Sequence, residues 1–488
     1  MIRPSLEETR KIAESGSYNI IPLSAEIYAD IKTPVEVLRI LKNVSSHCFM
    51  LESMADTERW GRYTFLGFEP TLELTCANGK VTVSAGTKTV IETNPNLVIQ
   101  KILDENKSPR FDYLPPFTGG LVGYFSYDYI KYSEPSLNLD ADDIEGFNDA
   151  DLMLFDKVIA FDNLRQKIII IVNIKTKNFE AEYARGEKEL NNIINLVKTG
   201  SPCPLSPPRI LSDFKMLFDK AQYCEMVNKA KHYIKEGDIF QVVLSNRAEA
   251  DFEGSLLDTY RVLRTSNPSP YMFYFGSNDL EIGGASPETL VKLENSRLYT
   301  FPLAGTRPRG ETPEKDALLE EELLRDEKEL AEHNMLVDLG RNDLGKISKF
   351  GTVKVEKYMS ILRFSHVMHI GSTVSSEILA GKKGIDAIDA VLPAGTLSGA
   401  PKIRAMQIIN ELEKDRRGIY GGAVGYLDFT GNMDTCIAIR IAYKKNGKVF
   451  VRSGAGIVAD SVPESEYEEC INKSKAVINA LRQSEGGI

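Results

Sequence analysis

Two stretches of this chain each place carboxylates at helical spacing, an arrangement that suits a divalent cation. In DEKELAEHNMLVDLG (326 to 340), Asp326 is expected to cap a helix with Glu329 completing a capping box, and Glu332 lies one turn further on the same side. Leu330, Met335, Leu336, Val337 and Leu339 spread around the rest of that helix. Apolar residues all round predict a buried helix, where carboxylates are costly unless a cation meets them. Near the C-terminus, Glu466, Glu469 and Lys473 fall at i, i+3 and i+7 beside an apolar stripe of Cys470, Ile471, Val477, Ile478 and Leu481. That spacing takes them off the solvent face, which goes to Glu468, Asn472, Lys475 and Asn479. Acidic oxygens from two helices suit magnesium, a hard ion that keeps waters and shares a carboxylate ligand. For either helix alone, solvated charges paired along the helix are the alternative. Glu320 to Glu322 are assigned to that alternative.

Glycine-rich segments offer anion sites. In AGTLSGAPKIRAMQ (394 to 407), Ser398 or Gly399 can lead into a helix opened by Pro401, with exposed amides near Thr396. The spacing is not that of a phosphate loop, because Gly399 is followed by Ala400-Pro401-Lys402. RSGAGIV (452 to 458) can bring the amides of Gly454 and Gly456 onto a carboxylate, with Arg440 as a forked partner. Two proton-transfer candidates remain. His369 lies in an apparent strand, FSHVMHIGSTV, with His366 on the opposite face, and Glu288 follows Ser286-Pro287 after the strand-like LEIGG. Glycine turns and a lone strand histidine are often purely structural, so neither motif decides the chemistry alone.

The elements that must position these groups divide at a proline-rich segment. From Tyr18 to about Ile174 the pattern is strand-rich, with β-type runs at 48 to 54, 62 to 68, 120 to 127, 154 to 161 and 167 to 174, and Asn78-Gly79 reads as a hairpin turn. A helix carrying Leu190, Ile193, Ile194 and Val197 follows, and then GSPCPLSPPRILSD, with four prolines. The expected organisation is an N-terminal domain over residues 1 to 199, a linker over 200 to 213 and a C-terminal domain over 214 to 488. Beyond the linker, helical runs near 219 to 235, 313 to 345, 401 to 414 and 465 to 482 are interleaved with strands joined by short turns. This favours an α+β layered fold over a doubly wound one.

With 488 residues, 42% apolar and 26% charged, the chain is expected to be folded throughout. A net charge of −10 repels polyanions, so nucleic acid is not an expected partner and any anionic ligand needs a local cluster of cations and amides. The N-terminus shows no apolar leader, no run approaches a membrane span, and six scattered cysteines lack CxxC spacing; the expected compartment is the cytoplasm.

Taken in order, these segments resemble the chorismate-utilising enzymes, and within them the anthranilate synthase large-subunit subfamily. The resemblance runs through GDIFQVVLS (237 to 245), NPSPYMFY (267 to 274), GASPETLVKL (284 to 293), PLAGTRPRG (302 to 310), DEKELAEHNMLVDLGRND (326 to 343), PAGTLSGAPKIRAMQ (393 to 407), YGGAVGY (420 to 426) and RSGAGIVADSVPESEYEECINKSKA (452 to 476). The N-terminal domain matches more loosely, through FMLESM (49 to 54) and GRYTFLGFEP (61 to 70).

The resemblance implies two packed sheets enclosed by helices, a layered αββα sandwich. It implies that Glu329, Glu332, Glu466 and Glu469 surround magnesium, and that Arg440, Tyr420, Lys473, Thr396, Gly454, Ala455 and Gly456 hold the carboxylates of chorismate. Glu288 becomes the general acid for the departing 4-hydroxyl, and His369 belongs to the later elimination of pyruvate. The Ala304, Gly305 and Thr306 segment separates subfamilies: aminodeoxychorismate synthases typically carry a nucleophilic lysine in that motif, where this chain has Ala304. Isochorismate and salicylate synthases typically carry a lysine base at the position of Gln241. The chain lacks a GxCxG nucleophile segment, so the resemblance implies ammonia from a separate glutamine amidotransferase subunit. It also implies feedback inhibition by tryptophan, bound by Glu52, Ser53, Asn267, Pro270, Tyr271 and Met272 with Val424 and Tyr426 opposite. An aminodeoxychorismate synthase and a tryptophan-binding regulatory subunit without catalysis are the alternatives.

Overall fold

A computed structural model describes residues 2 to 54, 61 to 363 and 367 to 487. The elements that frame the cleft are, in chain order, β1 (Cys48–Glu52), β2 (Gln241–Glu253), α1 (Leu257–Ser266), β3 (Tyr271–Gly276), β4 (Glu281–Ser286), β5 (Thr289–Glu294), β6 (Leu303–Pro308), α2 (Glu327–Gly345), β7 (Val367–Glu377), α3 (Lys402–Glu413), β8 (Ala423–Asp428), β9 (Met433–Ile437), β10 (Ile441–Lys445), β11 (Lys448–Ile457) and α4 (Pro463–Gln483).

They belong to two large sheets. The first runs Ile2–Arg3, Ile20–Tyr28, Lys167–Lys175, Lys157–Asp162, Tyr63–Phe68, β1, β3, β4, β10, β11, β2 and Arg209–Ile210. The second runs β6, β7, Arg297–Thr300, β5, β9, β8, Gly120–Phe125, Ala150–Phe155, Leu72–Ala77, Lys80–Ala85 and Thr87–Glu92. Strands from both sides of the 200 to 213 segment enter both sheets.

Alternation along the strands builds the layers. In the run KIIIIVNIK, Ile169 and Ile171 face the space between the sheets with Phe49, Phe65, Phe273, Val424 and Tyr426. Ile168, Ile170 and Val172 face outward, under helices that supply Leu38, Leu190, Leu263 and Val477. On the far side of the second sheet, Val337 and Leu344 of α2 pack with Leu290, Val374 and Ile388. The order is helix, sheet, sheet, helix, as the αββα expectation requires. Among the described residues no helix is long and apolar enough to cross a membrane.

Two expected elements divide differently. The run 154 to 161 is not one strand: Ala150–Phe155 lies in the second sheet and Lys157–Asp162 in the first, so the chain changes sheet at Asp156. Both pieces are buried on both faces, which makes the apolar run look continuous. The helical run at 313 to 345 breaks at Asp326, whose extended backbone (φ −75°, ψ 101°) ends the helix Pro313–Arg325 and begins α2.

Candidate active site

Glu288 sits between β4 and β5, where the chain passes from the first sheet to the second. Its carbonyl accepts from the Ile437 amide at 3.0 Å, and the Ser286 hydroxyl donates to the Ile437 carbonyl at 2.7 Å. The side chain is therefore delivered from a braced turn. Thr396 donates to Glu288 Oε1 at 3.1 Å. Burial pushes the Glu288 carboxyl up to about 7, against the opposing influence of that hydrogen bond and of Arg440 and Lys473. A carboxyl that is half protonated near neutrality is suited to general acid chemistry.

Arg440 lies across from it. Its guanidinium has no hydrogen-bonding or ion-pair partner among the described residues and is exposed, yet desolvation still lowers its pKa. This is the pattern of a cation on a cleft wall, open to an anion. His369 on β7 faces the same space. Its Nδ1 lies 2.9 Å from the Gly305 carbonyl and 3.1 Å from Thr306 Oγ1. A carbonyl can only accept, so Nδ1 carries the hydrogen and Nε2 is the basic nitrogen. Burial first, then the Arg440 charge, keeps the ring below its ordinary pKa and so neutral. A register shift between Ala304 and Thr306 on β6 aims that carbonyl, and Gly305 has φ +64° there. A Cβ on Gly305 would lie 2.9 Å from Leu323 and 3.3 Å from Glu329, so glycine is required. His366 lies outside the described residues. Behind Glu288 and Thr396 is a cavity of about 40 Å³ walled by Leu290, Pro302, Leu336 and Leu339, enough for water-sized molecules.

The glycine strand forms the floor. On β2, the amides of Val243 and Ser245 are taken by Ser398 and Glu413, so these residues do not bond to their β11 partners Gly456 and Gly454. The glycines' own amides therefore point to the other edge of β11, where β10 has already ended at the Ala442–Val451 pair. Tyr420 Oη would lie 3.0 Å from a Cβ on Gly454, and Gln241 Nε2 would lie 2.8 Å from one on Gly456. Tyr420 and Gln241 thus stand over the face of the glycines, beside two edge amides that bond to no partner among the described residues. The Ala455 side chain points the other way, into the apolar cluster of Tyr223, Ile409 and Cys470, and its backbone faces Leu244 across the ladder, so the expected Ala455 contact to substrate is not offered to the cleft. Thr396 belongs to a short 3-10 turn and not to a helix N-terminus, because α3 starts only at Lys402 and Gly399-Ala400 pair with β2 instead.

The four glutamates come from α2 and α4, as expected, with three differences. Asp326 caps α2 by accepting from the Lys328 and Glu329 amides, but Glu329 does not return the bond and lies 3.7 Å from Arg307. Helix α2 is not buried all round: Leu330, Met335 and Leu339 are half-buried and Glu332 is exposed. Glu469 and Lys473 face solvent, each about half exposed (side-chain exposures 49% and 53%), and pair with each other at 2.6 Å. The cause is the same on both helices, since each closes one rim of an open cleft. The two rims feel each other. Desolvation, then the charges of Glu329 and Glu469, raise the Glu332 carboxyl, and Glu466 is raised by desolvation and by Glu469. Among the described residues no three carboxylates or imidazoles converge closely enough to hold an ion as they stand. The donor chemistry nevertheless fits a hard cation: all-oxygen ligands, crowded like charges, and Arg307 and Lys473 as the present counter-charges.

The effector residues fall on two faces. Ser53 and Pro270 are half-buried, and Asn267, which caps α1, has a buried side-chain nitrogen without a hydrogen-bond partner among the described residues. Tyr271 lies with Val424 and Tyr426 between the sheets. Glu52 and Met272 are cross-strand partners whose side chains face the other way. There Glu52 is held by Arg264 at 2.7 and 3.1 Å and by Tyr260. Strand alternation separates them from Tyr271, leaving only their backbone to the pocket.

Sequence reasoning missed a buried ionic lattice beside the floor, further along the same strands. Glu413 bridges Arg417 and Arg452, and Asp415 bridges Arg452 and Arg247. Arg417 also donates to the carbonyls of Leu397 and Val243 at 2.6 Å each, tying the Thr396 turn to β2. Arg452, at an inward position of the apolar run KVFVRSGAGI, was the available clue.

Comparison with known proteins agrees with this geometry. A chorismate binding enzyme family model matches residues 46–479. Anthranilate synthase component 1 of Acetivibrio thermocellus is 46% identical over 99% of both chains, and that of Aquifex aeolicus is 46% identical over 99% of this chain and 98% of its own. The crystal structure of anthranilate synthase component I from Streptococcus pneumoniae superposes with a TM-score of 0.77 at 40% identity, covering 86% of this chain and 92% of that one. The Escherichia coli menaquinone-specific isochorismate synthase shares the fold, with a TM-score of 0.70 at 18% identity over 98% of this chain and 99% of its own. With nearly its whole length matched by such relatives, and with a partly protonated acid, a guanidinium and strand-edge amides facing one cleft, this chain belongs to the chorismate binding enzyme family.

Proposed function

We propose that this chain converts chorismate and ammonia into anthranilate and pyruvate, by way of aminodeoxyisochorismate. The observation that carries this reading is the juxtaposition of Glu288, held by Thr396 and raised to about 7, with Arg440, a cation without an ion-pair partner among the described residues. Arg440, Tyr420, Lys473 and the amides of Gly454 and Gly456 bind the substrate's two carboxylates. As ammonia bonds to the ring, the carbon–oxygen bond to the 4-hydroxyl breaks and Glu288 gives its proton to the departing oxygen, which leaves as water. Nε2 of His369 then takes a ring proton as the enolpyruvyl ether breaks and the ring becomes aromatic. Gln241 supports ammonia over water as the nucleophile, because an amide side chain cannot serve as a base. Ala304 supports a product other than aminodeoxychorismate, because it offers no amine nucleophile. Magnesium, held by Glu329, Glu332, Glu466 and Glu469, supplies positive charge for the ring carboxylate.

Ammonia comes from a glutamine amidotransferase subunit in the cytoplasm. Tryptophan binds among Ser53, Asn267, Pro270, Tyr271, Val424 and Tyr426, so residues 1 to 199 contribute effector contacts and residues 214 to 488 contribute the chemistry. The buried Asn267 amide nitrogen, without a hydrogen-bond partner among the described residues, supports a carboxylate-bearing effector. The test is an ammonia-driven assay at basic pH with chorismate and magnesium, with and without tryptophan. Fluorescent anthranilate formed and suppressed by tryptophan is the expected result. Accumulation of 4-amino-4-deoxychorismate would sink this reading, and tryptophan binding with chorismate left untouched would replace it with a regulatory subunit.

A further inference from the structure

A hydrogen bond joins the effector pocket to the catalytic cleft. Tyr271, in the pocket on β3, places its hydroxyl 2.8 Å from Asp434 Oδ1 and 2.9 Å from Thr289 Oγ1. A phenol has a single hydrogen, and it goes to the carboxylate, so the Thr289 hydroxyl donates to the Tyr271 oxygen. Thr289 is buried and is the next residue after Glu288. The register of β5 against β9 shifts between Thr289 and Val291, so this end of β5 is not fixed by a regular ladder. Several attachments brace the turn that delivers Glu288. Among them are the Ile437 amide on the Glu288 carbonyl, the Ser286 hydroxyl on the Ile437 carbonyl, the Glu288 amide on the Ser286 oxygen, and the Thr289 hydroxyl on Tyr271. The last runs directly to a side chain of the pocket.

We propose that Thr289 is a positioning residue for Glu288, and that its hydrogen bond to Tyr271 couples occupation of the effector pocket to the catalytic cleft. This rests on the tryptophan reading given above. A ligand beside Tyr271 moves or engages its hydroxyl and releases Thr289, and the turn carrying Glu288 then leaves the place where Thr396 and Arg440 meet it. An effector acts only through such a difference between two states, and the coupling is reciprocal: chorismate must weaken tryptophan binding by the factor with which tryptophan weakens chorismate.

The experiment measures the tryptophan dissociation constant of the full chain with magnesium, with and without saturating chorismate, and with ammonia omitted so that no turnover occurs. In the unaltered chain chorismate is expected to raise that constant by roughly 10-fold, within the ordinary range of allosteric coupling. Thr289→Val keeps the shape and removes the donor. It should still bind tryptophan, but with a chorismate effect below about two-fold, and its kcat should fall roughly 10-fold at unchanged chorismate KM, the mark of a displaced catalytic group. Thr289→Ser restores the hydroxyl and should restore both properties. Coupling in Thr289→Val equal to that of the unaltered chain would overturn the proposal alone, as would a Thr289→Ser chain as uncoupled as the valine variant. Failure of the unaltered chain to bind tryptophan would overturn the effector reading and this proposal with it.

Discussion

Two clusters of charge lie at different levels along the same strands. At the lower level, against β2 and β11, Glu413, Asp415, Arg247, Arg417 and Arg452 are buried and each is paired with an opposite charge. Above them, Glu288 and Arg440 face a cleft without an ion pair between them, and the amides of Gly454 and Gly456 point away from the ladder. The residue types are the same. What differs is whether the protein itself satisfies them: the lower cluster spends its hydrogen-bonding capacity on fixing backbone, whereas the upper one keeps it for a ligand. Paired charge here is architecture and unpaired charge is chemistry.

The sharpest way to break that contrast is Glu413→Ala. It strands the buried Arg417 guanidinium, removes one of the two carboxylates on Arg452 and releases the amide of Ser245, so urea unfolding should show a loss of about 3 to 5 kcal/mol. A loss below ~1 kcal/mol would mean that the lattice is not structural. Glu288→Gln should do the reverse, with stability nearly unchanged and kcat down roughly a thousandfold. Acid denaturation belongs to the lower cluster: Arg417 and Arg452 hold the Glu413 carboxyl below its ordinary pKa. The unfolded chain therefore binds that proton more readily, so Glu413 stabilises the fold above its unfolded pKa and loses that contribution as pH falls through its folded one. The cleft acid has the opposite sense, because its protonated form does the work. Glutamine-driven turnover should fall as pH rises past about 7, approaching tenfold per unit, unless bound substrate raises Glu288 further. Ammonia-driven turnover should stay flatter, since neutral ammonia becomes more abundant over the same range.

Smaller effects probe the rim. Glu469→Gln should increase the magnesium concentration needed for half-maximal activity by roughly 10-fold, and an unchanged magnesium titration would remove Glu469 from the ligand set. Ser53→Ala should raise the tryptophan needed for half inhibition by about 5- to 10-fold, the worth of one hydrogen bond, with kcat unaltered. An unchanged inhibition curve would move the pocket elsewhere.

How far the sequence reaches follows the same division. Glu288, His369 and the glycine strand are legible because each lies in a short motif whose spacing survives folding. The lattice is not legible, since Glu413, Asp415 and Arg417 in ELEKDRRG read as a solvated helix end and only the approach of β2 and Arg452 encloses them. Alternation was informative in principle at Glu52-Ser53 and Tyr271-Met272, where neighbouring residues must face opposite ways. A motif read as one unit conceals that. The exposure of Glu469 and Lys473 was hidden differently: a helix beside an open cleft has a third face, neither core nor bulk solvent, which periodicity does not distinguish. The chain's change of sheet at Asp156 left no mark for a similar reason, because both pieces are buried on both sides.

The interleaving of early and late strands in the first sheet bears on how the molecule is assembled. Strand β1 pairs with β3, more than two hundred residues further along, and the central neighbours β10, β11 and β2 join segments from distant parts of the chain. On the ribosome the free edge of β1 must wait for most of the polypeptide to be made. Such long-range closure is slow and leaves an unpaired edge open to other chains. Crowded expression, and lesions that delay completion of the C-terminal strands, should therefore lower the yield of native protein through aggregation, without any change in the finished enzyme.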